Sequence, residues 1–92
     1  MTNADKRQAL GHYDAYKKST ATSLRSVYGS YSQAKENAWE YCKELMYKKN
    51  GHGLRVISTN GWMFTAGFEY EEDGKQMFMY ITKTKDVAVE VA

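Results

Sequence analysis

The sequence has no proline, a single cysteine (Cys42) and no apolar run longer than a few residues. One cysteine excludes an intramolecular disulfide, and no zinc ligand set can be assembled around it. The missing apolar run excludes a transmembrane helix. Residues 1–7 lead into no apolar segment, so no signal peptide is expected, and the expected setting is a reducing cytoplasm. Net charge is scarce as well. Thirteen Lys and Arg against eleven Asp and Glu leave +2, too little to imply a nucleic-acid or membrane partner by itself. With 92 residues there is room for one domain, spanning 1–92, and its stability margin is thin. What the chain has in plenty is aromatic surface: 14% of residues, eight of them Tyr.

Hydrophobic periodicity divides the chain into a helical half and an alternating half. Residues 1–18 are expected to hold an N-terminal helix. Asn3 can cap it, Asp5 sits in the first turn where the dipole favours an anion, and Lys17 and Lys18 lie near the other end. Its apolar stripe (Ala9, Tyr13 and Tyr16, with Leu10 beside them) is thin, and Gly11 costs roughly 1 kcal/mol in mid-helix. Residues 19–23 read as a polar connector, and 24–28 as a short strand or extended entry segment, with a helical turn that puts Leu24, Val27 and Tyr28 on one side as the alternative. A long main helix is expected over 30–50, capped by Ser30 or Ser32. Tyr31, Ala34, Ala38, Tyr41 and Leu45 recur at steps of three and four, and Trp39, Cys42 and Met46 form an adjoining ridge. Lys48, Lys49, Asn50 and Gly51 end it with cations and a residue able to adopt φ > 0.

Beyond Gly53 the period becomes two. Residues 54–59, 62–70, 77–82 and 87–91 read as strands, with turn signals at Asn60 and Gly61 and at Asp73 and Gly74. Gly67 in mid-strand signals a bulge or a close approach by another group. The expected fold is α+β, in two layers: an antiparallel meander of three or four strands over 54–91, packed by one long helix, with an additional N-terminal helix.

The strands do not alternate cleanly. On the second strand Trp62, Phe64, Ala66, Phe68 and Tyr70 share one face and Met63, Thr65, Gly67 and Glu69 the other. On the third, Met77, Met79 and Ile81 share one face and Phe78, Tyr80 and Thr82 the other, so either choice leaves large side chains outside the helix-covered layer. One helix cannot cover both. Either the first helix or a homodimer covers the second face, or that face binds a partner, for which Tyr, Trp and Met are suitable side chains. The partner-binding candidates are therefore Met63, Tyr70, Phe78 and Tyr80 on the sheet, the acidic hairpin Glu71, Glu72 and Asp73, and Lys83 and Lys85 in the next turn.

Chemistry finds little to use. Cys42 lies on the apolar side of the main helix, where a thiol packs rather than reacts. His52 sits in a glycine-flanked turn with no partner set around it, and the two histidines, the cysteine and the scattered carboxylates have no metal spacing. No catalytic set, metal or cofactor is expected. Nucleic-acid binding is the alternative to protein binding: basic residues such as Lys48, Lys49, Lys83 and Lys85, together with sheet aromatics, could hold phosphates and stack bases.

The run from Ala38 through Leu45, followed by Gly51 to Ser58, Phe64 to Phe68 and Met79 to Thr82, resembles small accessory proteins encoded by phages and prophages of Firmicutes. The resemblance covers 24–91 and leaves out the first helix. It assigns no role to any residue. It implies a bacterial host cytoplasm and, by analogy with anti-CRISPR and other anti-defence proteins, stoichiometric binding to a host protein or ribonucleoprotein complex.

Overall fold

The computed structural model describes residues 3–22, 33–58, 65–82 and 85–91. Among these, the helical stretches form α1 (Asn3–Lys18) and α2 (Gln33–Lys48), and the alternating stretches form β1 (His52–Ser58), β2 (Thr65–Glu72), β3 (Lys75–Thr82) and β4 (Asp86–Glu90). The fold is α+β: two helices and one open antiparallel sheet in the order β1-β2-β3-β4. The expected segment at 24–28, the turn at Asn60 and Gly61, the strand residues Trp62, Met63 and Phe64, the caps Ser30 and Ser32, Tyr31, and Lys83 lie outside the described residues.

Local chemistry explains the element ends. α2 stops where Asn50 takes φ 55°, so that the Gly51 N–H reaches the Met46 carbonyl (2.8 Å) and the Asn50 N–H the Tyr47 carbonyl (3.1 Å). This is the Schellman arrangement, with Asn in the left-handed position. The expected single long helix is thereby corrected, because α2 and α1 are of equal length, sixteen residues each. Between β2 and β3, Glu72 faces Lys75 across Asp73 (φ 52°) and Gly74 (φ 77°). Two successive positive φ values make this the tight hairpin turn that Asp-Gly favours.

The sheet register sorts the apolar side chains. On β2 and β3, Ala66 faces Ile81, Phe68 faces Met79 and Tyr70 faces Met77. These six pack with Cys42, Leu54 and Val56 against the Ala38, Trp39, Leu45 and Met46 ridge of α2. The intervening residues belong to the opposite face. There Phe78, Tyr80 and Val89 pack with Ala9 and Tyr16 of α1, joined by Tyr13, Ile57 and Val87. A helix on each face makes three layers, not the two expected.

Gly67 is a point of close approach on the α1 side of β2. A Cβ there would lie 2.6 Å from the Phe78 ring and 2.9 Å from Ile57. The mid-strand glycine thus makes room for an aromatic ring, one of the two roles its position suggested.

Candidate functional site

The second face of the sheet is closed by α1. Phe78 and Tyr80 are fully buried beneath it, so neither is available to a partner in this conformation. Tyr70 is buried too, on the α2 side, with the Lys49 ammonium 5.7 Å from its ring centre. The expected docking role of these three side chains is corrected on that ground. The stacking surface required by the nucleic-acid alternative is covered by the same helix. Met63 and Lys83 lie outside the described residues.

α1 is held by phenols more than by aliphatic side chains. Tyr16, buried, donates to the Gly53 carbonyl at 2.6 Å. Tyr13 donates to the Glu69 carboxylate at 3.1 Å and lays its ring 5.0 Å from that of Phe78. Arg55 on β1 donates to the Tyr16 carbonyl (3.2 Å), its guanidinium 4.8 Å from the centre of the Tyr16 ring. His12 places its ring 4.5 Å from that of Tyr80. Burial pushes the Tyr16 phenol up to about 12, with the Glu69 charge adding to the effect. Burial, then Glu69, also raises Tyr13. Burial, then the Lys85 charge, lowers His12. Tyr13 and Tyr16 each donate to an acceptor within the fold. The cluster is arranged as a clasp that docks a helix.

The remaining reactive groups are similarly placed. Cys42 is buried, and burial pushes its thiol up to about 12, far from a thiolate at neutral pH. His52 opens β1 instead of standing in a turn, and lies opposite Glu69 in the ladder. Among the described residues, no three His, Cys, Asp or Glu side chains gather as metal ligands.

The outer surface is where side chains remain free to meet something. Glu71, Glu72 and Asp73 are exposed at the β2–β3 turn, and Lys85 is exposed before β4. Lys49 ties the end of α2 to this hairpin through Glu72 at 3.8 Å, a surface pair of small energetic weight. Tyr47 (70% exposed) lies on the outward side of α2 and Tyr41 (45% exposed) at its flank, with Glu40, Glu44 and Lys48 also exposed. Tyr41 donates to the Asp86 carboxylate at 2.5 Å, and that bond raises its phenol. Helical spacing assigns Tyr41 to the core face and does not single out Tyr47, so the exposure of both is a correction. At about 100° per residue, a helix that turns Ala38, Cys42, Leu45 and Met46 to the sheet leaves Tyr41 at the flank of that face, within reach of β4, and turns Tyr47 away from the sheet.

No protein-family model, curated protein or solved structure matches the chain.

Proposed function

We propose that the protein is a non-enzymatic binding protein that acts by stoichiometric contact with another protein, in the manner of phage-encoded inhibitors of bacterial defence systems working in the host cytoplasm. The observation that carries this reading is the division of labour among its aromatic side chains. Phe68, Tyr16, Phe78 and Tyr80 are consumed by two cores, whereas Tyr47 and Tyr41 remain exposed on α2. Tyrosine is enriched where protein interfaces concentrate their energy. The acidic turn Glu71, Glu72 and Asp73 stands beyond the end of the same helix, so the proposed surface runs from α2 to the hairpin tip. The phage setting rests on the resemblance over 24–91.

The test is affinity capture from bacterial lysate in two parallel arms. A protein partner held by the wild-type chain should be lost from Tyr47→Ala and from the double charge reversal Glu71→Lys/Glu72→Lys, both of which should fold normally. Recovery of no protein partner by the wild-type chain counts against the reading. Light scattering on the same sample decides whether a second copy is the partner.

A further inference from the structure

The two edges of the sheet are treated differently. At Val56 the outer edge of β1 is covered by the segment that follows α1. The Val56 N–H donates to the Ala21 carbonyl at 2.9 Å, and the Ser19 hydroxyl donates to the Val56 carbonyl at 2.7 Å. β4 forms the opposite edge. In its ladder the Val91 N–H donates to Gln76 (2.9 Å) and the Lys85 carbonyl accepts from Thr82 (2.8 Å). The odd-numbered residues therefore turn their main chain toward β3, and Asp86, Ala88 and Glu90 turn theirs outward. Among the described residues, no main-chain bond covers that outward edge.

The same three residues present a chemical pattern. Their side chains lie on the α2 side, where Ala88 packs against the core and Asp86 and Glu90 are exposed. The carboxylates stand four residues apart, about 13 Å along a strand, with the half-exposed Tyr41 beside the first of them. A second copy fits poorly. Symmetric antiparallel pairing centred on Ala88 would set Asp86 of each chain opposite Glu90 of the other, and like charges directly opposite destabilise a pair.

We infer that the β4 edge accepts an extended segment of a partner protein as a fifth strand, with Lys or Arg at two positions four residues apart facing Asp86 and Glu90. Main-chain hydrogen bonds to the edge supply affinity, and the two carboxylates select the basic strand. This rests on the protein-binding reading and names its mode and the chemistry of the partner.

The probes are two short synthetic peptides of alternating Thr and Val, one carrying Lys at two positions four apart and the other Glu. Each is added to the full chain, and amide hydrogen exchange is followed by NMR. The Lys peptide should slow exchange at Asp86, Ala88 and Glu90 by at least about tenfold. Val87 and Val89, already bonded to β3, should change little, and the Glu peptide should have no effect. Asp86→Lys/Glu90→Lys should reverse the preference. Ala88→Pro removes an outward N–H without touching the inner ladder and should abolish protection. If that variant does not fold, the charge reversal carries the test.

Absence of protection, or protection by the Lys peptide that survives Ala88→Pro, overturns the inference. So does slow exchange of the three amides in the chain alone that is lost on dilution, since a second copy would then cover the edge. A captured partner that Ala88→Pro still holds overturns the edge while leaving the binding reading intact. Protection by the Lys peptide with no captured partner supports the edge and counts against that reading.

Discussion

Truncation of Tyr16 tests the docking of α1 and can be sized from the structure. The ring is buried between α1 and the sheet, 5.1 Å from the ring of Phe78 and beneath the Arg55 guanidinium. Tyr16→Ala removes a fully packed aromatic side chain, a change that costs about 3–5 kcal/mol. A domain of this length is stable by roughly 5–14 kcal/mol, so the loss takes a large share of the total. Tyr16→Phe keeps the ring and deletes the 2.6 Å bond to the Gly53 carbonyl. Gly53 is exposed, so water can replace the phenol, and the expected cost is at the lower end of about 0.5–1.5 kcal/mol. At about 4–8 °C per kcal/mol the two variants separate clearly in thermal unfolding. Tyr47→Ala, at a largely exposed position, is the control and should stay within about 0.5 kcal/mol of wild type. A Tyr16→Ala protein that melts with the wild-type chain would refute the packing of α1 on the sheet.

Three further outcomes are expected. Gly67→Ala should cost about 1–3 kcal/mol in urea unfolding, because the new methyl meets the Phe78 ring at 2.6 Å inside a packed layer. Wild-type stability there would place Phe78 elsewhere. Cys42 should resist a disulfide-exchange reagent in the native state and react only as the chain unfolds; prompt reaction would contradict a buried thiol held at about 12. Tyr16 also makes stability depend on alkaline pH. The folded chain favours the neutral phenol, whose value is raised to about 12 from an ordinary 10. Its contribution is therefore complete below pH 10 and lost as pH rises through 12. The decline should be shallower in Tyr16→Phe, and identical slopes would exclude this linkage.

Much of the architecture was readable because its signals are local. The step from a three-to-four period to a period of two marks the passage from α2 to β1, and Asp73 with Gly74 carries its own backbone requirement. Gly67 announced a crowded strand. The covering of the second face was not readable in the same way. Alternation shows that Phe78 and Tyr80 lie opposite Met77 and Met79, but it cannot say what lies above them. The helix that does so binds through Tyr13, Tyr16 and His12, side chains with apolar bodies and polar ends, so its stripe looks thin. Residues 19–21 carry no periodicity, although they cover the β1 edge at Val56. Of the expected contact residues, the acidic turn Glu71 to Asp73 is exposed where its composition put it, as is Lys85, whereas the sheet aromatics are spent on packing. Tyr41 misled for a related reason: it occupies the border of the helix face, and its hydroxyl is taken by Asp86 at the start of β4.

Because α1 occupies the aromatic face of the sheet, the exposed surface lies on α2, the acidic turn and the β4 edge. The Ala9 methyl, fully buried in the cluster with Phe78, Tyr80 and Val89, reports this directly. In the NMR spectrum of the full chain it should show nuclear Overhauser contacts to side chains of that cluster and a ring-shifted resonance. A methyl at its random-coil position with no contact to the sheet would contradict the docking of α1 on that face.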